Sequence, residues 1–244
     1  MRTVVISDIH GNWEDLENIL TITEVMQNGT KQPGTRVIFV GDIVDLGRSN
    51  ALTNDAKAAT IAAEVGDDFL IGNHEFPFLF PSFGEAMHFG GMCTKLQAEM
   101  VLQNFPNAAM WQIATDANGW LITHAGLSPL WDIQGPADMV ADLISDRFGD
   151  MLVSRKDDKL ITGIGAIRGG TDHIGGVVWL DARNLQNDTR TANPIPQIVG
   201  HTGIGPNPIK VNGNWFIDTG KGSVSAVVMD DGDDDWTPFT SRKG

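Results

Sequence analysis

The chain has 244 residues, 41% hydrophobic and 20% charged, with a formal net charge of −14 and a single cysteine, Cys93. That length suits one large domain with a full core. One cysteine excludes an internal disulfide and a Cys-rich zinc site, and the acidity argues against nucleic acid or an anionic membrane as partner. No segment reaches the apolar length of a membrane span. The apolar run Val4–Ile6 is too short for a signal peptide, and Asp8 and His10 follow at once, so a cytoplasmic location is expected. The run Asp230–Asp235, broken only by Gly232, reads as the start of a solvated acidic tail, 230–244, behind a single domain at 1–229.

The first half alternates strand and helix. Thr3–Ser7 is a short β-branched run, a buried-strand signal. Asn12 stands where a helix cap belongs, with Glu14 and Asp15 in the first turn. Trp13, Leu16, Ile19, Leu20 and Thr23 then recur at helical spacing, giving a face that packs on a sheet. Val37–Val40 is the next strand, Asn50–Val65 a helix ending near Gly66, and Phe69–Ile71 a third strand. Helices are expected around Glu75–His88 and Thr94–Asn104, and a strand at Leu121–Thr123. Ala137–Phe148 reads as helix and the Gly-rich Gly163–Gly176 as loop. Val177–Leu180, Gln197–Val199, Trp215–Ile217 and Ser223–Met229 read as strands. Two packed β-sheets with helices outside follow from this order.

Five strands run straight into loops that carry Asp, His or Asn. They are Asp8-Ile9-His10-Gly11-Asn12, Gly41-Asp42-Ile43-Val44-Asp45, Gly72-Asn73-His74-Glu75, His124-Ala125-Gly126 and Gly200-His201-Thr202. Ligands of open α/β sheets bind beyond the carboxyl ends of strands, so these loops converge on one edge. Any one of them alone is usually an ordinary turn. Together they point to a metal site. Imidazole and carboxylate donors favour Mn, Fe, Zn, Co or Ni over the all-oxygen shells of Ca and Mg. One carboxylate can bridge two ions, and two ions can clamp a phosphate and activate a water.

The blocks SDIHGN, GDIVDLG, GNHE, HAGLSP and VGHT, in this order, resemble those of the calcineurin-like metallophosphoesterases, and within them the phosphoprotein phosphatase branch. The resemblance runs from Thr3 to about Met229. HAGLSPLWDIQ is similar to bacterial symmetrical diadenosine tetraphosphatases, and VGHTGIGPNP followed by FIDTG to phage lambda-type protein phosphatases. The resemblance implies an α/β fold, a four-layer α-β-β-α sandwich of two mixed sheets with two divalent metal ions, Mn foremost, between them. By position, Asp8 and His10 hold the first ion, Asp42 bridges both, and Asn73, His124 and His201 complete the second. The resemblance also implies that His74 is the general acid, oriented by Asp45, a pairing that keeps an imidazole protonated near neutral pH. The mechanism the resemblance implies would be direct attack of a metal-activated hydroxide, without a phosphoenzyme.

The departures concern the phosphate clamp. The branch usually has Arg where this chain has Leu46, Ile71 and Val199, and a bidentate Arg is the natural partner of phosphate oxygens. Arg48 and Arg183 are the substitutes expected to bind substrate, with Arg168 a third. An exposed structural arginine is the competing reading for each. Glu75 is expected to hydrogen-bond behind the site, Asp218 to orient a site histidine or to be structural, and His88 and His173 to lie at the surface. Phe76, Phe78, Phe80 and Phe83, with Trp111, Trp120 and Trp179, read as core. The expected function is a metal-dependent phosphomonoesterase of the protein Ser/Thr phosphatase type that also cleaves small aryl phosphates. The alternatives are a hydrolase of diadenosine tetraphosphate or another nucleotide polyphosphate, and a non-catalytic metal-binding scaffold on the same fold. A nuclease is disfavoured by the acidity.

Overall fold

The computed structural model describes residues 1–44, 51–80, 111–187, 195–220 and 222–241. It opens with β1 (Arg2–Ile6), α1 (Trp13–Ile22), the hairpin β2 (Met26–Gln27) and β3 (Thr30–Lys31), β4 (Thr35–Phe39), α2 (Ala51–Val65), β5 (Asp68–Leu70) and the short α3 (Phe76–Leu79). It continues through β6 (Trp111–Gln112), β7 (Ala114–Ala117), β8 (Trp120–Thr123), α4 (Ala137–Ser154), α5 (Lys159–Thr162) and α6 (Ala182–Asn187). The chain closes with β9 (Gln197–Val199), β10 (Ile209–Val211), β11 (Asn214–Phe216), β12 (Ser225–Met229) and β13 (Thr237–Thr240).

Two mixed sheets form, in the orders β13-β12-β1-β4-β5-β6 and β10-β11-β9-β8-β7. In the first, β1, β4, β5 and β6 run parallel, β12 pairs antiparallel to β1, and β13 pairs antiparallel to β12. Alternation along each strand divides its side chains between two cores. Val5, Ile38, Leu70 and Val227 of the first sheet meet Ile122, Ile198 and Trp215 of the second. Val4, Ile6, Val37, Phe39 and Phe69 point the other way, toward Leu16, Ile19 and Leu20 of α1 and Ala58, Ala59 and Ala62 of α2. Beyond the second sheet, Val199 and Phe216 pack with Leu185 of α6. The result is the expected sandwich, sheet on sheet with helices outside. Each of these fully buried aliphatic side chains contributes about 1.5–3 kcal/mol.

Three local expectations change. Residues 177–180 form a turn, not a strand. Trp179 and Leu180 both donate their N–H to the Gly176 carbonyl, and Val177 donates to Leu160, so no neighbouring strand is paired. A short buried apolar run does not by itself distinguish strand from turn. Residues 230–241 are not a free tail: β13 pairs with β12, and Trp236 is buried in the inter-sheet core. Asn12 occupies the cap position of α1 but makes no cap bond; its amide donates to Asp15 Oδ2 at 2.5 Å. Asp45, Leu46, Arg48, Phe83, His88 and the expected helix at 94–104 lie outside the described residues. No helix among the described residues is long and apolar enough to cross a membrane.

Candidate metal centre

The candidate residues lie just past the ends of β1, β4, β5, β8 and β9, where the parallel strands of both sheets open toward one another. Three of them, His10, Asp42 and His201, have φ of 48°, 50° and 65°. Left-handed backbone is costly for residues with a Cβ and collects at functional sites. It turns each side chain inward as soon as its strand ends.

Asp42 is the hub. Its Oδ2 lies 3.7 Å from His10 Nε2, 3.7 Å from His74 Nε2 and 3.5 Å from His124 Nε2. Its Oδ1 accepts the His74 backbone N–H at 2.9 Å. Two sets of donor atoms gather on this carboxylate: His10, Asp42 and His74 in one, Asp42, His124 and His201 in the other, each within 4.8 Å of one another. Asn73 joins the second set, with its Oδ1 2.9 Å from His124 Nε2. Asp8 is buried beside them, but its carboxylate accepts the His201 N–H at 3.0 and 3.1 Å. It belongs to neither set.

The donor set fits metal ions on the chemistry of its lone pairs. His124 Nδ1 faces the Val40 carbonyl at 2.9 Å. A carbonyl only accepts, so Nδ1 carries the hydrogen and Nε2 presents a lone pair. That lone pair faces Asn73 Oδ1, and His201 Nδ1 at 3.1 Å. Among the described residues, the buried His201 Nε2 has no hydrogen-bond partner. His10 follows the same logic, Nδ1 toward the Val44 carbonyl at 3.3 Å and Nε2 toward Asp42. Acceptors aimed at one another in a buried place call for a cation.

The electrostatics agree. Burial holds His124 below the usual histidine value, and burial together with His124 and Arg168 holds His201 well below it. Both rings are therefore neutral, the form that ligates metal. Burial acts to raise the Asp42 carboxyl, but His74, His124, His10 and His201 outweigh it and hold the group low. Asp8 is pushed well up by burial, then by Asp218 and Asp42, and burial raises Asp218 as well. Crowded carboxylates of this kind are relieved by bound cations.

Two contacts make the crowding sterically feasible. A Cβ on Gly72 would come within 2.1 Å of Asp42 Oδ1, and a Cβ on Gly200 within 2.1 Å of Asp8 Oδ1. Glu75, fully buried, braces the same loops. Its Oε2 accepts the N–H of Asp42 (2.8 Å) and Gly72 (3.1 Å), and its Oε1 those of Ile43 (2.7 Å) and Val44 (3.3 Å). Burial, then Asp42, raises its carboxyl to about 7. It is a brace and not a ligand, as the sequence suggested.

The other expectations divide. Among the described residues Asp218 makes no hydrogen bond to a histidine; its Oδ1 accepts the Gly220 N–H at 2.7 Å, and it lines a cavity of about 280 Å³ beside Asp8 and His10. Ile71 and Val199 are fully buried apolar residues, so neither position can reach a phosphate. Arg183 is 61% exposed and grips Asp181 with Nε (2.7 Å) and Nη2 (2.9 Å). His173 is exposed, and Phe76 and Phe80 pack on Phe148 of α4 as core. Trp111 is core as well. Trp179 packs against the core, as read, and also meets His201 edge-on at 5.4 Å. Nothing in its apolar neighbourhood in the sequence signals that contact.

A family model, calcineurin-like phosphoesterase, matches residues 1–205. The chain belongs to that family. It is therefore a phosphoester hydrolase by descent, of a metal-dependent kind, and the donor sets around Asp42 are its candidate metal-binding groups. Among solved structures, this phosphoesterase is similar to a cold-active protein tyrosine phosphatase, 17% identical with a TM-score of 0.58, over 93% of this chain and 75% of that one. A mutant of a cold-active protein tyrosine phosphatase gives 16% and 0.55 over 99% and 80%. A metallophosphoesterase from Sphaerobacter thermophilus gives 16% and 0.49 over 93% and 82%. At these identities the likeness concerns the fold. No curated protein matches.

Proposed function

We propose that this chain is a phosphomonoesterase of the protein phosphatase type that works with two divalent transition-metal ions, Mn foremost. The observation that carries the reading is the buried Asp42 carboxylate, shared between two sets of donor atoms. His10 and Asp42, with Asp8 alongside, would hold one ion, and Asp42, Asn73, His124 and His201 the other. When bound, the ions supply Lewis acidity that activates water and neutralises charge on the phosphate.

The remaining work falls to the protein's own groups. His74 is 21% exposed, packs edge-on against His10 at 4.7 Å, and is tethered through its backbone N–H to Asp42. It can reach the leaving oxygen and donate a proton there. Its Nε2 lies among the donor atoms of the first set, 3.7 Å from Asp42 Oδ2. Glu75 keeps the Asp42 and Gly72 backbones in register. The cavity beside His10, walled by Asn12, Trp13 and Asn54, receives the leaving group.

The test is hydrolysis of p-nitrophenyl phosphate by metal-stripped protein, with and without Mn²⁺, beside a phosphoserine peptide and diadenosine tetraphosphate. Mn²⁺-dependent turnover of the ester and peptide is expected. Turnover of the dinucleotide alone would replace this reading with nucleotide polyphosphate hydrolysis. Tight Mn²⁺ binding with no turnover, unchanged by His74→Asn, would point to a metal-binding scaffold.

A further inference from the structure

The cavity beside His10 carries a charge pattern that the metal-binding groups do not account for. Asp8, Glu14 and Asp218 line it, and among the described residues no lysine or arginine does. Asp8 lies beside the donor sets, where bound metal offsets its charge. Asp218 belongs to neither set. It is 8% exposed, its Oδ1 accepts the Gly220 N–H at 2.7 Å, and its Oδ2 makes no hydrogen bond among the described residues. A carboxylate buried that deeply with one oxygen unpaired calls for a cation.

Cations elsewhere on the chain are committed. Arg168, whose charge reaches Asp218, lies 2.9 Å from Asp181 Oδ2 and donates to the Thr202 hydroxyl. Lys57 lies over the Trp13 ring, 2.8 Å from its centroid, and 3.8 Å from Glu17 Oε1. Neither lines the cavity. The positive end of α1 borders it, but Glu14 and Asp15 stand in that first turn and offset the helix dipole. Asp218 is also held in place. It follows β11, the Ile204 N–H donates to its carbonyl at 3.3 Å, and Gly220 takes a φ of 75° that closes the turn. Asn54 of α2 lines the cavity too, and its amide has no hydrogen-bond partner among the described residues. The volume of about 280 Å³ is just under the range of about 300–1,000 Å³ that encloses drug-sized ligands.

We propose that this cavity selects phosphomonoesters whose leaving group is a short alcohol bearing an ammonium group, with Asp218 as the residue that sets the preference, a selection that rests on the phosphomonoesterase reading. The ammonium donates to Asp218 Oδ2 and to the Asn54 amide oxygen, and Trp13 walls the alkyl stem. Hydrolysis adds water across the phosphorus–oxygen bond. The water oxygen bonds to phosphorus, the leaving oxygen takes a proton and departs as the hydroxyl of an amino alcohol, and inorganic phosphate remains. A polyphosphate leaving group would bring like charge against Asp218 and Glu14.

The experiment compares two esters of equal size, O-phosphoethanolamine and propyl phosphate, on Mn²⁺-loaded protein. Calorimetric titration with their non-hydrolysable counterparts, 3-aminopropylphosphonate and butylphosphonate, runs alongside. The ammonium member of each pair should be favoured about ten- to hundredfold, in kcat/KM and in affinity. Asp218→Asn removes the charge but keeps an oxygen for the Gly220 N–H, and should cut that ratio about tenfold with metal content unchanged. Asn54→Asp places a second charge on the opposite wall and should raise the ratio; it carries the test if Asp218→Asn misfolds. Equal kcat/KM for the two esters, or a ratio that neither variant moves, would overturn the cation pocket and leave the phosphomonoesterase reading intact. A preference for the aminophosphonate with no turnover of either ester would overturn only the catalytic reading.

Discussion

The two donor sets that share Asp42 differ in how they are embedded. His124 is fully buried, Asn73 is buried, and the His124 ring is oriented by a main-chain carbonyl. His10 and His74 are 22% and 21% exposed, and His10 borders the open cavity. The buried set is part of the core as much as of the site. The open set can be approached by substrate. One side of Asp42 is therefore built for permanence and the other for chemistry, and the same substitution should have different consequences on the two sides.

The largest effect is expected at the shared residue. Asp42→Asn removes a charge needed by both sets, and should cut kcat/KM by about a thousandfold or more while lowering the occupancy of both ions. Loss of one ion only, read by metal analysis, would show that the sets are independent and the comparison misplaced. Glu75→Gln should come next. It aims an amide donor at backbone N–H groups that now donate to a carboxylate, costing about 2–3 kcal/mol in a denaturant melt together with much of the activity. A melt unchanged within 0.5 kcal/mol, roughly the scatter of a silent surface change, would mean that the brace is dispensable.

The asymmetry itself is tested by His124→Ala against His10→Ala in metal-stripped protein. The first leaves a buried void and an unpaired Val40 carbonyl, so it should cost about 2–4 kcal/mol. The second should cost about 1 kcal/mol or less, its position being partly open to water. Equal losses would erase the distinction. The smallest effect is with pH. His124 and His201 titrate below the unfolded value of about 6.5, so near pH 7 neither state of the chain binds a proton at these rings. As pH falls through 6.5 toward the depressed folded values, the unfolded chain takes up protons that the folded chain refuses, and stability declines. Metal-stripped protein should therefore melt lower at pH 5.5 than at pH 7.5. His201→Gln should narrow that gap, and a gap of the same size in the variant would remove His201 from the account.

Much of the open set and of its scaffold was legible in the chain itself. Short β-branched runs ending in Asp, His or Asn mark β1, β4, β5, β8 and β9 and the loop residues just beyond them, because burial and chemistry fall on consecutive positions there. The brace at Glu75 was legible too, as a carboxylate directly behind His74. Other features left no local trace. The Val177–Leu180 run is as apolar as a strand, and only its bonds to Leu160 and Gly176 make it a turn. The Asp230–Asp235 run hides Trp236 and β13, because a dense run of charge carries no information about sheet pairing a few residues later. Arg168 and Arg183 look alike as isolated arginines near glycines and a helix.

What the sequence alone determined is the order of strands and helices, the family, and the metal-ligating residue types at the strand ends. These are set by periodicity and by residue chemistry, both local properties. The tertiary structure decided that Asp42 stands between two donor sets, that Asp8 turns to the His201 backbone, that Trp179 leans on His201, and that Arg168 ties the Gly-rich loop to Thr202. Each of these joins residues far apart in the chain. Such contacts depend on how the two sheets close over one another, which no local pattern encodes.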